Sequence, residues 1–254
     1  MGDDEGFAGE STPDWYADTG GGAAADATLS AGTFSDSSAD VDWQSRSGAV
    51  AGVGEAEAVR PEQGVDYSEL AARGEHWQRR HFIRCNFSDA DLIGLRTTQC
   101  SFVECNFTHA NLSQSAHTLS AFVSCTFRSV QLASSRFEDC KLAGSIFDSA
   151  QMGGLVFRGG DLTSASLTGA DLSGIDLTDV RLYAADLSQA DLNNANLVGA
   201  DLRGVTLDNT NFQDADLHGA LLDGFDPRRA NLDGARVDRD QCVELAAAFG
   251  VIVV

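Results

Sequence analysis

Between residues 161 and 226 the chain carries twelve aspartates and only two bases, Arg181 and Arg203. The acids are Asp161, Asp171, Asp176, Asp179, Asp186, Asp191, Asp201, Asp208, Asp214, Asp216, Asp223 and Asp226. A carboxylate can serve as general base, metal ligand or fixed charge, and its neighbours decide which. The five histidines, His76, His81, His109, His117 and His218, show no metal-ligand spacing, and no GxxxxGK[ST], GxSxG or HExxH segment occurs. Neither an enzyme nor a metal or cofactor site is therefore expected. What remains is fixed negative charge, which attracts cationic surfaces and repels phosphate, so direct nucleic-acid binding is not expected either.

The acids recur with a period. Asp171 and Asp191 are 20 residues apart and are followed at the same interval by Asn211 and Asn231; Asp161 and Asp201, and Asp186 and Asp226, are 40 apart. Something must bring the chain back to the same place every 20 residues. The segment "YAADLSQADLNNANLVGADLRG" shows what does: leucine at every fifth residue, with a small residue two places before each. Stepping by five from Phe82 to Val237 gives 32 positions, of which Leu, Phe, Met or Val fills 29; the exceptions are Thr97, His117 and Pro227. A spacing of five suits neither a helix nor a flat strand. One large and one small inward residue in every five describe a chain that turns a corner every five residues and closes a square coil of 20. Such coils cannot bury their apolar residues alone and must stack.

Stacking fixes the charge density. Coils one inter-strand distance apart place the 66 residues from 161 to 226 within roughly 16 Å. B-DNA carries about 9 charges over that length, and the block's net charge is −10. A second reading stands beside this one. Asp and Asn both bond the backbone of a turn, so the acidity could be a by-product of corner chemistry.

The remaining composition divides the chain. Residues 1–75 hold 16 acids and 3 bases, whereas residues 76–160 hold 6 acids and 8 bases. The first segment is rich in Gly, Ala, Ser and Asp and aperiodic, which predicts a disordered acidic tail. Phe7, Trp15, Tyr16, Phe34 and Trp43 are scattered through it, either as docking motifs or within a solubilising tail. A short helix is expected over residues 66–78, leading into the first coil near Trp77, with the solenoid spanning 76–237. Cys85, Cys100, Cys105, Cys125 and Cys140 fall in the small inward slot, where free cysteine packs as a small hydrophobe. Buried thiols, an N-terminus without signal-peptide regions and no apolar run near membrane-span length predict a soluble cytoplasmic protein.

The repeat A(D/N)LXX resembles the pentapeptide-repeat family, which implies an all-β solenoid, a right-handed quadrilateral β-helix, over about residues 80–237. Two stretches outside the consensus carry a closer resemblance. The opening coils from "CNFSDADLIGLRTTQC", with their off-pattern Thr97 and His117, look like those of the MfpA-type fluoroquinolone-resistance proteins of that family. So does the end, "LDGARVDRDQCVELAAAFG". That likeness implies a DNA mimic: a homodimer joined through its C-terminal ends that occupies the DNA-binding surface of DNA gyrase and inhibits it. The unbroken frame leaves no room for the projecting loops of the plasmid-borne Qnr relatives.

In the C-terminal module, residues 238–254, Asp238 and Gln241 form a capping box and Gly250 ends the helix. Val243, Leu245, Ala246, Phe249, Val251 and Ile252 either cap the last coil or also form a two-fold interface, and the resemblance implies both roles. The competing functional reading is a non-catalytic interaction scaffold whose partner is recruited by the N-terminal tail.

Overall fold

The structure is a computed structural model that describes residues 60–252. Strands appear in chain order as β1 (Glu62–Gln63), β2 (His76–Gln78), β3 (His81–Ile83), β4 (Arg96–Thr98), β5 (Ser101–Val103), β6 (Ala116–Thr118), β7 (Ala121–Val123), β8 (Arg136–Glu138) and β9 (Val156–Arg158). They build two parallel sheets, β1-β3-β5-β7 and β2-β4-β6-β8-β9. The register advances one coil at a time, Phe82 opposite Phe102 and Phe102 opposite Phe122. Beyond β9 the sides are held by single parallel bridges, with short strands only at β10 (Thr210–Asn211) and β11 (Ala230–Asn231). The result is a right-handed quadrilateral β-helix of about eight turns.

Each corner follows from its residues. Up to Leu222 the position two after each central residue adopts a left-handed conformation, as at Asp89 (φ 57°), Asp179 (φ 56°) and Asn194 (φ 56°), which Asp, Asn and Gly tolerate best. The Asp or Asn before the central residue accepts the backbone N–H two residues on, as Asn86 does from Ser88 (3.2 Å) and Asp171 from Ser173 (3.1 Å). Inside, Phe82, Phe102 and Phe122 stack with ring centroids 4.9 and 4.7 Å apart. Phe87, Phe107, Phe127 and Phe147 do so at 5.0, 4.9 and 4.8 Å. These separations match the inter-strand distance, so rings ride directly on rings.

The solenoid begins earlier than expected, and the helix expected over residues 66–78 does not form. β1 already pairs with β3, Asp66 bridges to Asn86, and Ala71 bridges to Asp91. This coil is a cap. Arg80 sits in an inward slot, its guanidinium 4.7 Å from the ring centres of both Trp77 and Phe82, and it pairs with Glu62 at 2.7 Å. The Tyr67 hydroxyl donates to Glu62 while its ring stacks on Phe87 at 5.0 Å. That hydrogen bond raises the Tyr67 pKa to about 12. The tail expected over residues 1–75 lies outside the described residues up to residue 59.

At the other end, helix α1 (Arg239–Ala248) carries the expected capping box between Asp238 and Gln241. The buried Gln241 side chain donates to the carbonyls of Leu217 (2.7 Å) and Ala220 (2.8 Å), closing the last coil. Pro227, off the repeat pattern, opens a 3-10 turn through Arg229. The other two exceptions meet each other inside the core. Thr97 contacts His117 Nδ1 at 2.8 Å and donates to Ser120 at 3.0 Å, and His117 Nε2 lies 2.9 Å from Ser115. Every polar atom of this buried group has a partner, which makes it affordable.

Candidate partner-binding surface

The coil has four faces. Face 1 takes residues 85–89 and those at every twentieth position, face 2 starts from 90–94, face 3 from 95–99 and face 4 from 100–104. The twelve candidate aspartates spread evenly over them. Face 1 carries Asp186, Asp208 and Asp226; face 2 carries Asp171, Asp191 and Asp214. Face 3 carries Asp176, Asp179 and Asp216; face 4 carries Asp161, Asp201 and Asp223, together with both Arg181 and Arg203. Face 4 is thereby nearly neutralised within the block.

Local partners thin the set further. Asp201 is gripped by Arg203 through two 2.8 Å bonds, which pull its pKa below the ordinary carboxylate value. Arg203 also lies 5.7 Å from the Tyr183 ring centre. Asp226 pairs with Arg228 at 2.8 Å, Asp208 with Arg229, and Asp216 with His218. Asp161 is only 7% exposed and accepts from the Thr163 N–H at 2.9 Å, so it belongs to the corner rather than the surface. The residues that remove Asp208 and Asp226 from the available charge are the arginines of the 3-10 turn. Both fall just outside the 161–226 block, although the signal "DPRR" stands directly at Asp226.

Asp171, Asp176, Asp179, Asp186, Asp191, Asp214 and Asp223 remain, in no ion pair among the described residues. Five of the seven lie on the adjoining faces 2 and 3. Hydrogen bonds hold Asp171 below the usual carboxylate range, from the Ser173 hydroxyl first. At Asp186, burial pushes upward, but bonds from Ser188 and Thr168 outweigh it. Both are charged at neutral pH.

Face 2 carries a side-chain ladder. Asn231 donates to Asn211 and Asn211 to Asp191, each at 2.9 Å. On face 3, Asn196 donates to Asp176 at 3.2 Å. The face 2 ladder then breaks, because Asp191 stands next to Asp171 on the preceding coil and neither carboxylate can donate. Corner chemistry alone does not ask for this: Asn at 191 would continue the ladder.

At the C-terminal end the expected interface residues divide. Leu245 packs against the core and Ala246 is half-buried, so these cap the coil. Val243, Phe249, Val251 and Ile252 are exposed, Phe249 at 62% and Ile252 at 85%. Among the described residues no group of three or more His, Cys, Asp or Glu could hold a metal ion, and no helix is long and apolar enough to cross a membrane.

A closed four-sided coil whose variable letters all point outward defines a repeat solenoid with its surface as the working part. The chain belongs to the pentapeptide repeat family. The family model matches in eight copies, over residues 82–116, 135–174, 145–183, 175–214, 185–224 and 210–239. None of the curated proteins matches the chain. Among solved structures it is similar to a trypsin-treated variant of QnrB1, described as a plasmid-mediated fluoroquinolone resistance protein. The two are 23% identical, the match covers 77% of this chain and 98% of that one, and the TM-score is 0.69. Full-length QnrB1 matches at 23% identity over 75% of this chain and 97% of its own, with a TM-score of 0.67. At this identity the likeness shows the fold.

Proposed function

We propose that this chain is a non-catalytic DNA mimic that binds DNA gyrase and inhibits the enzyme's own binding of DNA, and thereby bears on fluoroquinolone resistance. Its supporting observation is the set of unpaired carboxylates fixed on a rigid repeat. Over a span of roughly 16 Å, a net charge of −10, or −8 once Arg228 and Arg229 beside the block are counted, stands where duplex DNA would carry about 9 charges. The adjoining faces 2 and 3 dock, and the compensated face 4 points away. The description of QnrB1 as a resistance protein and the MfpA-like ends favour gyrase as the partner. The protein acts in the cytoplasm as a homodimer whose exposed Phe249, Val251 and Ile252 meet across a two-fold axis, which covers apolar surface at the chain's end.

A supercoiling assay with purified gyrase tests this. Inhibition is expected at low salt and should weaken as salt rises, since screened surface charges lose reach. No inhibition at micromolar protein in low salt would end the proposal. Loss of inhibition on deleting residues 1–59, with retention after Asp171→Asn and Asp191→Asn, would instead support the tail-recruited scaffold.

A further inference from the structure

A column of thiols lies outside the acidic block. Cys85, Cys105 and Cys125 occupy one corner slot in three successive coils, and none is more than 1% exposed. The same slot is filled by Ala165 and Ala185 further along, so packing asks only for a small residue. Ladder bonds join the three rungs, Asn106 N–H to the Cys85 carbonyl at 3.0 Å and Thr126 N–H to the Cys105 carbonyl at 2.9 Å. Neighbouring rungs about 4.8 Å apart fall within the roughly 4.4–6.8 Å between Cα atoms that a disulfide spans. The thiols make equivalent bonds on successive coils, Cys105 donating to the Phe82 carbonyl at 3.6 Å and Cys125 to the Phe102 carbonyl at 3.4 Å. The other cysteine column differs: Ser120 stands between Cys100 and Cys140, leaving them two coils apart and out of range.

The column is graded in access. The Cys85 thiol donates to the Glu62 carbonyl of the capping coil at 3.2 Å. Terminal coils have a neighbour on one side only and open first. Opening residues 62–81 uncovers Cys85 before Cys105, and Cys105 before Cys125.

We propose that Cys85 and Cys105 form a peroxide-responsive modification site that closes as a disulfide between the second and third coils. The Cys85 thiolate attacks a peroxide oxygen, the O–O bond breaks and hydroxide leaves, giving a sulfenic acid. The Cys105 thiolate then attacks that sulfur, the S–O bond breaks and a second hydroxide leaves. Protons from the two thiols turn both hydroxides into water, so two thiols and one hydrogen peroxide yield one disulfide and two waters. The link ties the second coil to the third and confines opening to the capping coil.

The test uses the full chain carrying Cys242→Ser, which removes the exposed thiol of α1. After hydrogen peroxide, alkylation under denaturant and mass spectrometry should show the loss of two thiols and two hydrogens. Non-reducing peptide maps should join Cys85 to Cys105, and amide exchange in residues 82–87 should slow. Cys105→Ser should abolish the link, and Cys100→Ser should not; the slot accepts serine at Ser145, so the first variant keeps its fold. All five thiols surviving, a link through Cys100 or Cys140, or a link that persists in Cys105→Ser would overturn the proposal.

Discussion

The coils up to β9 and those after it share one core plan and differ on the outside. The earlier coils stack phenylalanines, and their third and fourth faces present Ile83, Val103, Val123, Thr98 and Thr118, residues that suit a pleated surface. Their sides straighten into three-residue strands. The later coils stack leucines, and their outward positions carry Asp, Asn, Ser and Gly, which favour turns. Those sides shrink mostly to single bridges, yet the backbone ladder continues, as from Leu187 N–H to the Thr206 carbonyl at 2.9 Å. Gly160, just after β9, stands at the change, with φ 101° and no room for a Cβ, which would lie 2.7 Å from the Cys140 carbonyl oxygen. The difference teaches that inward letters hold the coil while outward letters are free to carry charge.

Three measurements can break or sharpen that contrast. The largest effect is expected in the ring ladder. Phe107→Ala should cost about 3–5 kcal/mol, because the ring also loses stacked partners on both sides. Leu192→Ala, in the later coils, should cost less within the usual range of about 2–5 kcal/mol. Urea unfolding of both variants checks this, and equal losses would show that stacked rings add nothing.

Next comes pH. Burial holds His117 neutral, with its pKa lowered to about 3 from 6.5. The unfolded chain takes up that proton below pH 6.5 and the native chain does not. Stability is therefore level above that pH and falls as pH drops from 6.5 towards 3, by about 1.4 kcal/mol per unit from this residue. His117→Leu should lower stability at neutral pH, by stranding Thr97 and Ser115, but flatten the slope between pH 6.5 and 5. Thermal melts across that window decide; parallel slopes would remove His117 from the account.

The smallest effect has the opposite sign. Asp191→Asn completes the ladder from Asn231 to Asp171 and removes a stacked like charge, so the fold should gain about 0.5–1 kcal/mol. Gyrase inhibition should weaken at the same time. A variant less stable than the parent would mean that Asp191 serves the corner after all.

Much of this was legible because the period is strict. Leu187 and Ala190 announce the coil, the five cysteines announce the small slot, and Asp238 with Gln241 announces the terminal helix. The first coil was not legible, since a cap must replace repeat letters with polar ones. Glu62 and Arg80 stand where a hydrophobe and a small residue would be, so the frame looks as though it starts at Phe82. The His117 group was not legible because its partners Thr97 and Ser115, and Ser120 behind Thr97, meet only once the coils stack. The spread of aspartates over four faces follows from counting by twenty. Which of them stay unpaired depends on how Arg203, Arg228 and Arg229 turn back, and spacing does not encode that.

The two plugs, Arg80 with Glu62 at one end and Gln241 at the other, set the solenoid's length independently of the repeat between them. A stack of near-identical coils has no internal reason to stop, and an open one could keep adding further chains at its edge. With both ends sealed, length becomes a quantity adjustable in steps of one coil, about 4.8 Å each. Excising or duplicating 20 residues would shift the number of displayed carboxylates without disturbing either terminus. The solenoid is in that sense a ruler, graduated in coils, against which a partner's spacing of positive charge could be measured.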